Sequence, residues 1–407
     1  METRMVICKE IIFLVHSLES GFGGMESHQN AFIRYFIVKQ ELPIICKYVV
    51  ENKGNNYKVS IWDGKCFCVI YATKDIEDIM NFFKVKQGSD RDYIFVLNDS
   101  WWIEYIYSIR NTFKENIIAV RLGGNDIELA PWNIGGLNYS ERRLKWKDAT
   151  NQVNYVIANS NYSYSLLTRL GTDKTRIVKI RGGVDDTYRN LFLSQKSLCR
   201  QWIIDKHNIE NPIILTFASR FVPFKGIIQA LEAIKNSYIA KVVHILLIGD
   251  GCLADEIKSY CMSNFSHNQY SIVGVLSNEE TLKYLAASDY LVNASIEYIA
   301  QSGDGNYIHT ETMGRSMIEA ISVGTKILAT DVGGTSELFE ENSFIGILTK
   351  PQRSNLIDMF NEAYKKLHKE VEVKKDYGWN SVFTEYMSLF CLLYTSPSPR
   401  DRQQSRM

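Results

Sequence analysis

A chain of 407 residues is too long for one ordinary hydrophobic core, so two domains are expected. Hydrophobic residues make up 45% and charged residues 23%, the balance of a soluble globular protein rather than a disordered or fibrous one. The 46 basic and 46 acidic side chains cancel, which argues against a nucleic-acid partner, and no apolar run is long enough to span a bilayer.

Met1 to Glu10 carries charges and then enters a short strand-like run, so it does not read as a signal peptide. Ile11 to Val15 is continuously apolar, as a strand buried on both faces requires. The loop Gly21-Phe22-Gly23-Gly24 follows, and then a helical spacing from Ala31 to Val38. Strand, glycine loop and helix in that order open a phosphate-binding α/β domain, although a glycine pair alone also serves in plain tight turns. Further strands are expected at Ile45–Val50, Val59–Trp62, Cys66–Tyr71, Ile94–Leu97, Ile117–Arg121 and Tyr155–Ala158, with helices over Ile76–Phe83 and Trp101–Phe113. Cys46 to Tyr71 reads as consecutive strands with a turn at Asp63-Gly64, an antiparallel element on a mostly parallel sheet. The eight cysteines are scattered. Cys66 and Cys68 form C-x-C, but no zinc-like Cys/His spacing is present, and the expectation is reduced core thiols in a cytosolic protein.

Ile177 to Ile180 leads into Arg181-Gly182-Gly183-Val184-Asp185, with a linker expected within 186–210 and a helix over Ser194–Asn208. Strand and helix then alternate from Ile213, which argues for a second parallel sheet covered on both faces. The boundaries expected are a first domain over 1–190, a second over 191–375 and a final helix over 376–390. Residues 391–407 change composition abruptly and resemble a translated sequencing-adapter tail; this stretch is set aside as an artefactual or disordered tail.

The stretch from Glu311 to Glu319 places two carboxylates eight positions apart around Gly314. Upstream lies the strand-like Tyr290–Asn293, and downstream a helical run that Gly324 ends, so Glu311 falls in the loop before a helix and Glu319 more than one turn inside it. The free N–H groups and positive dipole end of that helix suit a phosphate. One carboxylate can accept from sugar hydroxyls and the other can reach a ribose, which together suit a nucleotide-sugar. Ser219-Arg220-Phe221-Val222-Pro223-Phe224-Lys225-Gly226 follows the first strand of the second domain and holds two cations at the carboxyl edge of a parallel sheet, where a diphosphate leaving group could be neutralised. Gly249-Asp250-Gly251 reads as a turn. Val275 ends a strand whose backbone edge could hold a nucleobase. In Asp331-Val332-Gly333-Gly334-Thr335-Ser336-Glu337 the glycines would permit close approach to a ligand.

In combination these motifs resemble the retaining glycosyltransferases of family 4, the glycosyl transferases group 1. The resemblance is strong over about 211–340, through the Arg220/Lys225 loop, Gly249-Asp250-Gly251, Ala286-Ala287-Ser288-Asp289, the Glu311/Glu319 pair and 331–337. It extends more weakly to Gly23-Gly24-Met25-Glu26-Ser27-His28, Gly182-Gly183-Val184-Asp185 and Tyr377-Gly378-Trp379. It implies the GT-B fold: α/β, two Rossmann-like doubly wound domains facing a central cleft, with the nucleotide-sugar on the second and the last helix returning to the first. By position it implies that Arg220 and Lys225 hold the donor diphosphate, Glu311 and the backbone of Thr312, Met313 and Gly314 hold the transferred sugar, Glu319 holds the ribose, and Gly23 and Gly24 admit the donor phosphates. It also implies a UDP- or GDP-sugar donor, a glycan or lipid-linked acceptor, retention at the anomeric carbon and no bound metal or cofactor. Ser219 stands where that family has glycine, and Thr312 and Met313 replace a glycine and a phenylalanine.

The acceptor side carries weaker signals. Asn125 and Asp126 follow a first-domain strand in a Gly-Gly-Asn-Asp turn and are candidate acceptor contacts, with His16 beside the first glycine loop. The expected activity is glycosyl transfer in surface-polysaccharide synthesis, in the cytoplasm, with room for a peripheral contact at the inner face of the cell membrane. A GT-B nucleotide-sugar epimerase and a non-catalytic nucleotide-sugar-binding protein remain the alternatives.

Overall fold

The computed structural model describes residues 9–18, 24–38, 44–54, 56–87, 92–124, 127, 139–210, 213–302 and 305–391. Gly23, Asn125, Asp126 and the tail after residue 391 lie outside the described residues. The chain divides into two compact units. One holds residues 1–159, 164–181 and 379–407; the other holds 160–163 and 182–378. The domain divisions expected from sequence lie at 190/191 and 375/376.

The first unit is an eight-stranded sheet: β1 (Lys9–Val15), β2 (Ile44–Asn52), β3 (Tyr57–Trp62), β4 (Phe67–Thr73), β5 (Asp92–Leu97), β6 (Ile117–Leu122), β7 (Tyr155–Ala158) and β8 (Ile177–Lys179), in the order β4-β3-β2-β1-β5-β6-β7-β8. All seven residues of β1 are buried, Lys9 and Glu10 as well as the apolar run Ile11–Val15 that suits a central strand. β1 pairs in parallel with β2 and β5, whereas β2-β3-β4 is the expected antiparallel element at one edge. The segment expected as one helix over Trp101–Phe113 is a 3-10 turn, Ser100–Tyr105, followed by a short helix, Ile106–Thr112; Asp99 starts the turn by accepting from the Trp101 N–H at 2.7 Å.

β4 is the outer strand, and most of it faces solvent. Cys66 and Cys68, two positions apart, share that exposed face, and Cys252 is exposed as well. The expectation of core thiols therefore holds for Cys46, Cys199 and Cys261 and fails for these three.

The last helix, Trp379–Cys391, packs within this first unit. Phe383 is fully buried; its ring meets Phe32 edge-on at 5.7 Å and stacks on Trp379 at 5.2 Å. Tyr386 shares a 3.1 Å hydrogen bond with His28 Nε2 of the helix Gly24–Val38. His28 is thus a buried core histidine. Its pKa is held well below 6.5, first by burial and then by the neighbouring Arg121.

The second unit contains β9 (Ile213–Ala218), β10 (Val243–Ile248), β11 (Tyr270–Gly274), β12 (Tyr290–Asn293), β13 (Tyr298–Ser302), β14 (Gly305–His309), β15 (Lys326–Thr330) and β16 (Gly346–Thr349). Six of these form one parallel sheet in the order β11-β10-β9-β12-β15-β16. Counted within the unit this is 3-2-1-4-5-6, the doubly wound order, with its switch point between β9 and β12. Each strand serves two cores by alternation. Ile213, Leu215 and Phe217 join Val243, Ile245 and Leu247 on one face, while Ile214 joins Leu246, Leu291 and Ile327 on the other.

β13 and β14 form a separate antiparallel hairpin, with Tyr298 opposite His309. Among the described residues no helix is long and apolar enough to cross a membrane.

The Phe383 packing makes a prediction. Phe383→Ala opens a cavity among Phe32, Phe36 and Tyr386 and should cost about 3–5 kcal/mol in the unfolding of the first unit. Thermal unfolding should show a lower first transition; an unchanged profile would contradict this packing.

Candidate functional site at the carboxyl edge of the second sheet

The site is built on the loops that leave β9 and β12 at the switch point. After β9 the chain turns through Ser219–Gly226, with a 3-10 turn over Pro223–Lys225. Gly226 has φ +61°, and an added Cβ would collide with the carbonyl oxygen of Ala294, just beyond β12. Ile296 N–H donates to the Phe224 carbonyl at 2.7 Å, so the two loops are tied together. Gly249 and Gly251 press on the same loop from the other side. A Cβ at either would strike backbone atoms of Ser219 or Phe221, and Phe221 N–H donates to the Asp250 carbonyl at 2.8 Å. The Gly-Asp-Gly turn therefore braces the loop that carries Arg220 and Lys225.

Lys225 Nζ pairs with Glu311 Oε2, and both side chains are largely buried. The same oxygen lies near Asn293 Nδ2 (3.4 Å), on the last residue of β12, and Ser295 Oγ (3.3 Å), just past it. Glu311 Oε1 accepts from the Gly314 N–H at 3.1 Å, so this carboxylate also closes the start of the helix Arg315–Ser322. Burial pushes the Glu311 carboxyl up, but the Lys225 ammonium and the hydrogen bonds from Lys225, Asn293 and Ser295 outweigh it and hold the group below 4.5. From below, Gly334 N–H donates to the Glu311 carbonyl at 2.9 Å. A Cβ at Gly333 or Gly334 would collide with the carbonyl oxygens of Glu311 or Thr312. The close approach these glycines permit is to the Glu311–Thr312 backbone.

Arg220 is exposed. His309, at the end of β14, lies over Phe224 with ring centroids 4.0 Å apart. Burial lowers its pKa, and the charges of Arg220 and Lys225 lower it further against the opposing pull of Glu311. Arg220 and Lys225, from one loop, and Glu311, from a second stretch of sequence, thus act on one imidazole.

Glu319 is buried on the same short helix and pairs with Arg315 Nε at 3.1 Å, while Arg315 Nη2 donates to Asn278 Oδ1 at 3.1 Å. Burial pushes the Glu319 carboxyl upward, in part countered by Arg315. Met313 faces inward, and its sulfur accepts from the Gly182 N–H at 3.1 Å. Thr312 is half-buried, and Val275 is exposed just beyond β11. In the first unit Gly24 opens the helix Gly24–Val38, and His16 is exposed and stacks on Trp101 at 5.5 Å. Gly23, Asn125 and Asp126 fall outside the described residues.

Sequence reasoning missed Asn293, Ser295, His309 and Phe224. Polar residues closing a buried apolar strand were the available signal for Asn293 and Ser295. A histidine two positions before Glu311 was the signal for His309.

Residues 200–381 match the family model described as glycosyl transferases group 1. A stretch of 144 residues is 25% identical to the protein named "Putative teichuronic acid biosynthesis glycosyltransferase TuaC" of Bacillus subtilis (strain 168). That match spans 35% of this chain and 31% of that protein. Among solved structures, Anabaena Alr3699/HepE in complex with UDP is 16% identical, with a TM-score of 0.65 over 94% of this chain and 99% of that one. A glycosyltransferase from Rickettsia africae ESF-5 is 16% identical, with a TM-score of 0.66 over 96% and 99%. Sucrose-phosphate synthase from Thermosynechococcus elongatus is 14% identical, with a TM-score of 0.64 over 96% and 100%. These likenesses define the fold as GT-B, the α/β class with two Rossmann-like domains. The second unit carries the match to the glycosyl transferases group 1.

The depressed Glu311 carboxyl has a signed consequence for stability. Its contribution is present above the ordinary value of 4.5 and is lost as pH falls through the lower folded value. Urea unfolding followed from about pH 7 to about pH 3 should lose stability more steeply in the wild type than in Glu311→Gln. Glu319, raised in both proteins, cancels from the comparison. Equal slopes would contradict the pairing.

Proposed function

We propose that this chain is a glycosyltransferase that moves a sugar from a UDP- or GDP-sugar to a glycan or lipid-linked acceptor, with retention at the anomeric carbon. The observation that carries the reading is the Lys225–Glu311 pair at the β9/β12 switch point, with Arg220 acting on the same ground. The match of residues 200–381 to glycosyl transferases group 1 supports the reaction class, and the UDP bound by Anabaena HepE supports the donor class.

In this reading Lys225 uses one ammonium proton to hold Glu311 and keeps donors for a diphosphate, and the exposed guanidinium of Arg220 supplies the second cation. Glu311 and the Thr312-Met313-Gly314 backbone face the transferred sugar, Glu319 accepts from the ribose, and Val275 borders the base. In the first unit Gly23 and Gly24 admit the phosphates, while His16, Asn125 and Asp126 meet the acceptor. The bond between the anomeric carbon and the diphosphate oxygen breaks, and the bond to the acceptor oxygen forms on the same face. The acceptor's proton leaves with the nucleoside diphosphate. Positive charge aimed at the leaving group stabilises what develops in the transition state, so no metal or cofactor enters this account. The setting is surface-polysaccharide synthesis, in the cytoplasm or at the inner face of the membrane.

A screen of UDP- and GDP-sugars with mass detection of product tests this. One donor should be consumed, by transfer or by slow hydrolysis, and Arg220→Ala should lower kcat/KM by about 10²–10³-fold. Arg220 is exposed, so this variant is expected to fold. No turnover of any donor, or full activity in Arg220→Ala and Lys225→Ala, would contradict the proposal.

A further inference from the structure

The turn between β3 and β4, at the outer edge of the first sheet, gathers three metal-ligating side chains that glycosyl transfer does not use. Among the described residues Asp63, Cys66 and Cys68 are the set whose donor atoms all lie within 4.8 Å of one another. The two thiol sulfurs are 3.8 Å apart, and Asp63 Oδ2 lies 3.7 Å from Cys66 Sγ and 3.3 Å from Cys68 Sγ.

This triangle has the size of one face of a zinc tetrahedron. Zn–S bonds of about 2.3 Å and a Zn–O bond of about 2.0–2.2 Å give tetrahedral edges of about 3.8 Å between sulfurs and about 3.5 Å between sulfur and oxygen. The backbone holds the face in place without help from an ion. Asp63 N–H donates to the Cys66 carbonyl at 3.1 Å, and Asp63 Oδ1 accepts from the Lys65 and Cys66 N–H groups, each at 2.8 Å. With Oδ1 engaged in the turn, Oδ2 is left facing the thiols. Gly64, at φ +102° with open space around it, supplies the tight bend.

We propose that Asp63, Cys66 and Cys68 form a binding site for a thiophilic divalent cation, zinc(II) being the fit, with water completing the fourth position on the exposed side. Two thiolates select a soft or borderline cation over magnesium or calcium. Without the cation the thiols donate hydrogen bonds to the carboxylate. Binding therefore replaces two thiol protons with one cation and releases both protons to solvent. The bound cation would clip the hairpin that ends in β4, the outermost strand of this sheet among the described residues.

Full-length protein, reduced and stripped of metal, should be titrated with cobalt(II) alone. One equivalent should produce a thiolate-to-cobalt charge-transfer band with tetrahedral visible absorption, and zinc(II) should abolish it stoichiometrically. Cys66→Ser and Cys68→Ser should each lose the band, and Cys252→Ser should keep it. Asp63→Asn, which retains the Oδ1 acceptor of the turn, should weaken binding; unchanged affinity there overturns the role given to the carboxylate. A band that needs a many-fold excess of cobalt, that survives the double cysteine variant, or that disappears in Cys252→Ser overturns the site itself.

Discussion

Lys225 and Glu311 are 86 positions apart in the chain and meet as a largely buried ion pair where the second sheet reverses its strand order. Taking two charges out of water is costly, and the return on a buried pair is small. Breaking it by removing one partner typically costs about 3–5 kcal/mol, because the other charge is left stranded. What makes this burial tolerable is the number of groups the carboxylate satisfies. One oxygen faces Lys225, Asn293 and Ser295, and the other takes the Gly314 N–H. The pair thereby links the β9 loop, the end of β12 and the first turn of the helix Arg315–Ser322. Most contacts of this edge follow from that linkage.

The glycines around the pair have one role in common. Gly226, Gly249, Gly251, Gly333 and Gly334 each stand where a Cβ would strike backbone of a neighbouring loop. The site is a stack of backbone segments in close contact, with the charged side chains arranged on it. This stacking gives a rigid platform, which the proposed neutralisation of a leaving diphosphate would require, since its benefit depends on being placed before the charge develops. Arg220 stands out into solvent from this platform, so it can turn toward a ligand without disturbing the fold.

Much of the fold was legible because the central strands are buried on both faces and read as unbroken apolar runs, Ile11–Val15 and Ile245–Ile248 among them. The hairpin Tyr298–His309 was hidden for the opposite reason. Its apolar residues face solvent, Ile299 being 69% and Tyr298 41% exposed, so no buried period marked it as strand. β16 went unnamed because four residues beginning with glycine carry little pattern, although Gly346 is needed there to pack against the Ile327 backbone. In the site, Glu311, Glu319, Arg220 and Lys225 stood out by type and spacing. Their contacts did not, because the adjacency of β9 and β12 depends on strand order, which local sequence does not encode. The cysteines misled for a similar reason: C-x-C puts both side chains on one face of a strand, which would be core on a central strand but is solvent at this outer one.

The central claim is that the loops after β9 and β12 grip a nucleoside diphosphate. Calorimetric titration of the protein with UDP and with GDP tests it without knowledge of sugar or acceptor. The account predicts one-to-one binding of one of the two, weakened about tenfold or more, or about 1.4 kcal/mol, in Arg220→Ala. Binding of neither nucleotide, or equal affinity in the wild type and Arg220→Ala, would contradict it.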